Sequence, residues 1–126
     1  MKTYYTVALG MVASFALGAV AVQTLHAQAK PPAYFIAEND VTNEDAYKNE
    51  FLSVVGPNIK ARGGRYLAAG NATGLSGDPP KSRVVIIVWD NMEQLQSWYK
   101  SPEHQKALQV GAKYAKFREY AIPGVE

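Results

Sequence analysis

The segment RVVIIVWD, residues 83–90, constrains the fold more than any other part of the sequence. Between its charged ends lie six consecutive apolar residues, which are mostly β-branched and too few for an ordinary helix. A strand with one solvent-exposed face alternates apolar and polar residues, whereas this strand is apolar on both faces. One face can pack against helices of the same chain. We expect the other face to pack against a second copy of the protein.

The first 29 residues have the pattern of a secretory signal peptide. Lys2 and the amino terminus precede a stretch of 16 residues, Val7 to Val22, that is almost entirely apolar, and Ala27-Gln28-Ala29 fits the small-x-small cleavage rule. The apolar stretch is shorter than the ~20 residues of a membrane-spanning helix. We therefore predict a cleaved leader at residues 1–29, a linker at 30–33, one domain at 34–124 and an exported, periplasmic or secreted protein. The alternative is an uncleaved leader that anchors the domain on the outer side of the inner membrane.

Charge and cysteine content exclude several classes of function. Removal of the leader takes away one of 13 basic residues, Lys2, and no acid, so the remaining 97 residues carry a net charge of +1. This balance, without a basic stripe, argues against a nucleic-acid-binding protein. The absence of cysteine excludes cysteine nucleophiles, thiolate metal sites and covalently attached c-type haem. We predict no cofactor.

The remaining segments predict the element order β-α-β-β-α-β. Alternation and turn residues favour strands at 34–41, 65–69 (continuing irregularly to 75), 83–90 and 116–122. This order is the ferredoxin-like arrangement of the α+β class, with an antiparallel sheet. In that topology the first and third strands are central, and here they are the two most apolar strands.

Capping residues predict where the helices begin. The first helix starts after Thr42 or Asn43, has a kink or a restart at Gly56-Pro57 and ends at Gly63-Gly64. A second helix starts after Asp90 or Asn91. A further helix starts at Ser101-Pro102-Glu103, where serine caps and proline occupies the first turn, and it ends near Tyr114.

Four segments in this order and spacing resemble one known family. They are Asp45-Ala46-Tyr47, RGGRYLAAG at 62–70, GDPPKSRVVII at 77–87 and SWYKSPEHQKA at 97–107. From Pro32 to Gly124 the chain is similar to the domain of unknown function 1330 family. The resemblance implies a ferredoxin-like subunit that pairs face to face into a dimeric α+β barrel. Small cofactor-free monooxygenases, haem-degrading enzymes and muconolactone isomerases share that superfold. The family has no settled activity, so the resemblance bears on the fold and not on the chemistry.

His104 is the candidate catalytic residue, and it stands where the family usually has tyrosine. It is the one histidine outside the leader, and an imidazole can act as a general base near neutral pH. Its position at the start of a helix favours the neutral form, because the helix dipole disfavours positive charge there. The alternative is a surface histidine in the first turn of a helix. Nothing clusters at the spacing of metal ligands, so we predict no metal site.

Four further residues are candidates for ligand binding. Arg65 can pair bidentately with a ligand carboxylate, or it forms a salt bridge with an acid of its own chain. Tyr66, Trp98 and Tyr99 would form an aromatic wall for a cavity, although aromatic residues at this spacing are also typical of a core. Asn39 matches a polar strand residue of the haem-degrading relatives, but without their Trp and His spacing.

Two functions follow from these residues. The first is a small-molecule binder or cofactor-independent enzyme that acts on a small aromatic or carboxylated molecule. The second is a non-catalytic exported interaction module, favoured by the lack of a convergent acid, base and nucleophile. A polar-lined cavity beside Trp98 would favour the first function, and a closed dimer interface without one would favour the second.

Overall fold

Four strands form one antiparallel sheet in the computed structural model, which describes residues 30–80 and 83–125. The strands are β1 (Ala33–Val41), β2 (Arg65–Asn71), β3 (Arg83–Trp89) and β4 (Ala115–Pro123). Their order across the sheet is β2-β3-β1-β4, with every neighbouring pair antiparallel. The predicted ferredoxin-like topology, with β1 and β3 at the centre, is confirmed. The predicted leader lies outside the described residues.

Three helices begin directly after residues that were expected to cap them, Asn43, Asn91 and Ser101. They are α1 (Glu44–Ala46), a π-helical segment (Tyr47–Leu52), α2 (Ser53–Ala61), α3 (Met92–Tyr99) and α4 (Pro102–Gly111). Asn43 accepts a hydrogen bond from Ala46 N at 3.1 Å, and Asn91 accepts one from Gln94 N at 2.8 Å. Within the described part of the chain no helix has the length and apolar character needed to cross a membrane.

The helix does not restart at Gly56-Pro57, because α2 continues through Pro57. The irregular part is the π-helical segment one turn earlier, where the Ser53 N–H bonds to the Lys48 carbonyl five residues back. A π turn carries one residue more than an α turn and is locally wider. The proline ring approaches the carbonyl of Ser53, the first residue after this widened turn.

One face of the sheet packs against the helices through alternate residues. On β3 these are Val85, Ile87 and Trp89, and all three are buried. Trp89 stacks on Trp98 of α3 with ring centroids 4.8 Å apart and an interplanar angle of 27°. Gly64 allows this packing, since a Cβ there would lie 2.7 Å from both Ile59 Cγ2 and Trp89 Cζ2.

The opposite face of the sheet is also apolar, as the β3 sequence predicts. Val88 is buried and Ile86 is half-buried on this face of β3. Tyr120 and Ile122 of β4 are 45% and 51% exposed. That a second copy covers this face remains a prediction.

Candidate functional site

A small cavity of about 40 Å³ lies between the sheet and the helices. Its walls are mainly apolar, from Phe35, Phe51, Val55 and other core residues, with Trp98 on one side. Six polar or ionisable side chains also line it: Asn39, Tyr47, Tyr66, Arg83, His104 and Glu119. A space of this size accommodates about two or three water-sized groups. It is therefore a pocket for part of a molecule, with several polar side chains in a mainly apolar wall.

Three strands each contribute one polar residue at a position that faces the core. Asn39 follows Ala33, Phe35 and Ala37 in the buried alternation of β1. Arg83 precedes Val85 by two residues, and in the sheet it is paired directly with Asn39. Glu119 is paired with Ala37 on the other side of β1. The strand register thus brings residues far apart in sequence to one wall of the cavity.

His104 is buried, with 2% of its surface exposed, so the surface alternative is wrong. Its ring packs against Trp98 and Tyr99, with centroids 4.2 and 5.1 Å away. The backbone N–H donates to Ser101 Oγ at 3.3 Å, the helix cap that fixes this turn. Burial lowers the pKa of His104 to about 4, so the imidazole is neutral at pH 7. The neutral form was expected from the helix dipole, but its cause is desolvation.

Several residues that line the cavity carry buried polar atoms with no hydrogen-bond partner among residues 30–80 and 83–125. These atoms include both ring nitrogens of His104, Asn39 Oδ1, Arg83 Nε and Trp98 Nε1. By contrast, Asn39 Nδ2 donates to the Tyr47 hydroxyl at 2.9 Å, which fixes the amide. Leaving one buried polar atom unpaired costs about 1–3 kcal/mol. A cluster of such atoms facing one cavity is therefore a ready set of donors and acceptors for a bound molecule.

Glu119 adds a second titratable group to the wall. Burial raises the pKa of its carboxyl, and a hydrogen bond from the Tyr99 hydroxyl at 3.0 Å partly opposes the rise. Burial and the nearby Glu119 carboxylate raise the pKa of Tyr99 to about 12. The site thus combines a neutral imidazole, a carboxyl that is easier to protonate than usual, and one arginine. Of these groups, the neutral imidazole can accept a proton, a protonated carboxyl can donate one, and the arginine can bind an anion.

The structure brings together three of the five predicted site residues. His104, Tyr66 and Trp98 line the cavity. Tyr99 lies behind it, against the His104 ring, and lines a neighbouring surface depression. Arg65 is exposed and does not line the cavity, whose arginine is Arg83 instead.

Sequence reasoning missed three polar lining residues, Tyr47, Arg83 and Glu119, and did not place Asn39 beside them. Asn39, Arg83 and Glu119 carried a usable pattern, because each is a polar residue at a core-facing position of a strand. Among the described residues, no three His, Cys, Asp or Glu side chains are grouped to hold a metal ion.

Comparison with known families and structures supports the fold. The model of a family described as a domain of unknown function (DUF1330) matches residues 32–125. A protein of unknown function from Rhodopseudomonas palustris has 12% identity and a TM-score of 0.60, covering 84% of this chain and 92% of that one. A putative antibiotic biosynthesis monooxygenase from Caulobacter crescentus has 13% identity and a TM-score of 0.58, covering 78% and 93%.

A third similar structure is a dimeric ferredoxin-like protein of unknown function from Thermobifida fusca. It has 17% identity and a TM-score of 0.54, and the alignment covers 75% of this chain and 92% of that one. At these identities the likeness extends to the fold alone. The search of curated proteins gave no match.

Proposed function

The chain belongs to the DUF1330 family, and from that premise we propose that it binds a small polar molecule at His104. We further propose that it acts on that molecule by acid–base chemistry without a resident cofactor. The substrate class is a small aromatic or carboxylated compound. A similar fold occurs in a protein described as a putative antibiotic biosynthesis monooxygenase, and a small-molecule role is consistent with that likeness.

The observation that supports this proposal is the buried imidazole with two unpaired nitrogens beside a polar cavity. An interaction module has no need of such a residue, and filling the same space with an apolar side chain would avoid the cost of two unpaired polar atoms. The cavity lies beside Trp98, where a polar-lined space favours ligand binding over a non-catalytic module.

In the proposed reaction His104 is the base. Its low pKa keeps it neutral and able to accept a proton at pH 7. Asn39 Oδ1 and Trp98 Nε1 are an acceptor and a donor that can orient the ligand. Glu119 is the group that returns a proton, because burial raises the pKa of its carboxyl and favours the protonated form.

NMR-monitored titration with a library of small aromatic acids, phenols and ketones tests the proposal. We expect binders to shift the His104 ring and Trp98 indole resonances, and the His104→Leu variant to lose this response. Gln109→Leu is the matched control, since it places the same side chain at an exposed position of α4. A folded protein that responds to no member of the library would overturn the proposal.

We also propose that the protein is exported and forms a homodimer through the sheet face opposite the helices. The apolar residues on that face and the dimeric neighbour from Thermobifida fusca support the dimer. Sedimentation of the chain without residues 1–29 should give twice the monomer mass. Ile122→Asp should weaken the dimer, whereas Val54→Asp, a comparably exposed position on α2, should not. A monomer at high concentration contradicts the assembly without affecting the site.

A further inference from the structure

Leu52, Tyr66 and Arg83 belong both to the wall of the inner cavity and to an open groove on the surface. The groove has a volume of about 480 Å³, and its other lining residues are Gly56, Pro57 and Lys60. Tyr66 is 40% exposed, and Leu52 and Arg83 are half-buried, as expected for residues at a boundary. These three side chains therefore form the rim between the groove and the cavity, and Tyr66 and Arg83 are its polar members.

The two spaces differ in the part of a ligand that they can hold. Small-molecule sites in proteins usually measure about 300–1,000 Å³. The groove falls within this range, whereas the inner cavity of about 40 Å³ does not. A bound molecule would thus place its body in the groove and extend a group of a few atoms past the rim toward His104.

The charges at the rim favour an anion. Lys60 and Arg83 line the groove, and no acidic residue does. Arg83 forms no ion pair with an acid of the described residues, and its buried Nε has no partner. Burial raises the pKa of Tyr47 and of Tyr66, and the positive charge of Arg83 opposes the rise at both hydroxyls. The guanidinium is therefore close to both tyrosines and is free to pair with a carboxylate.

The inner cavity beyond the rim favours a neutral group. Apart from Arg83, which belongs to the rim, its wall includes the Glu119 carboxyl and the unpaired acceptor Asn39 Oδ1. A neutral hydroxyl or carbonyl suits these groups and the neutral imidazole better than a carboxylate does. Anion and neutral oxygen are thus favoured at different depths of the same site.

We propose that the ligand is a small carboxylic acid with an aromatic or apolar body and a second, neutral oxygen group. Its carboxylate pairs with Arg83 and Lys60 at the rim, and its hydroxyl or carbonyl reaches His104 and Asn39. This inference rests on the proposed function and adds the ligand class and the residues that select it.

The test uses 3- and 4-hydroxybenzoate as probes, with their uncharged methyl esters as matched ligands. We expect the wild-type chain to bind at least one acid about tenfold more tightly than its ester, because a hydrogen bond to a charged group is stronger than a neutral one. Arg83→Gln and Lys60→Gln should each reduce this ratio toward one. Lys106→Gln, which removes the same charge from an exposed position on α4, should leave the ratio unchanged.

Lys60 is exposed, so its variant tests the inference even if Arg83→Gln does not fold. Equal binding of acid and ester, or a preference that persists in both variants, would overturn the ligand class and leave the proposed function intact. If the probes fail but uncharged library members shift His104, this inference alone is wrong. If nothing in the library binds, both proposals are wrong.

Discussion

At one end of the layer between sheet and helices, Trp89 and Trp98 stack with ring centroids 4.8 Å apart, and Gly64 leaves room for the Trp89 ring. At the other end, His104, Asn39 and Arg83 line a cavity, and each carries at least one buried polar atom without a partner among the described residues. Trp98 belongs to both regions. The apolar end supplies packing energy and fixes the Trp98 ring, which in turn supports the imidazole. The unpaired polar atoms at the polar end lower the stability of the fold, but they are available to bind a ligand. Such a trade-off between stability and activity is common at functional sites.

Trp89→Ala should have the largest effect, because it removes the ring from the packed end. We expect the free energy of unfolding to fall by about 3–5 kcal/mol, measured by urea denaturation. Tyr66→Ala, at the half-exposed rim of the cavity, should cost about 1 kcal/mol, since much less apolar surface is lost. Equal losses would mean that the two ends do not differ in packing.

His104→Leu should change how stability depends on pH. The folded pKa of about 4 lies below the ordinary value of 6.5, so the unfolded chain binds the proton more readily between these values. Above pH 6.5 the imidazole is neutral in both the folded and the unfolded chain. As the pH falls toward 4 only the unfolded chain takes up a proton, and the folded state loses stability relative to it. This loss is about 3 kcal/mol, from about 1.4 kcal/mol per pKa unit.

The measurement is a set of urea unfolding curves for both chains from pH 7 to pH 4. The leucine variant should lack this acid-dependent loss and should be at least as stable as wild type at pH 7. Glu119 contributes a slope of opposite sign, because its pKa is raised, but it is present in both chains. Parallel stability–pH curves for the two chains would show that His104 is not the buried neutral group described.

Tyr47→Phe should have the smallest of the three effects. It removes the hydroxyl that accepts a hydrogen bond from Asn39 Nδ2, and the buried amide loses its partner. We expect a loss of about 1–2 kcal/mol in unfolding free energy. The matched control is Tyr114→Phe, which removes a hydroxyl hydrogen-bonded to the Glu50 side chain and should cost no more than about 0.5 kcal/mol. A larger loss for Tyr114 than for Tyr47 would contradict the assignment of Asn39 to a constrained, buried network.

Local features of the sequence predicted the fold well. Asn43, Asn91 and Ser101 cap helices through bonds to residues three positions away, so the relevant atoms are neighbours in sequence. The apolar run of β3 likewise identified the centre of the sheet, because a strand that is buried on both faces is apolar at consecutive positions.

The site was less predictable because it depends on the register between strands. Arg65 and Arg83 both stand at the start of a strand, yet one is exposed and the other lines the cavity. Only the pairing of Asn39 with Arg83 and of Ala37 with Glu119 shows which side chains share a wall. The burial of His104 depends in the same way on Trp98 and Tyr99.

The π-helical segment explains a spacing that an ordinary helix could not use. Tyr47, Phe51, Val55 and Ile59 are all buried, although a step of four residues drifts around a helix of 3.6 residues per turn. Three α-helical turns contain about 10.8 residues, and the one extra residue of a π turn brings the total to nearly the twelve that separate Tyr47 from Ile59. Deleting one residue from this segment would rotate Tyr47 by about 100° relative to α2 and turn its hydroxyl away from Asn39. A deletion of one residue therefore separates Tyr47 from Asn39 in the site and leaves the core contacts of α2 in place.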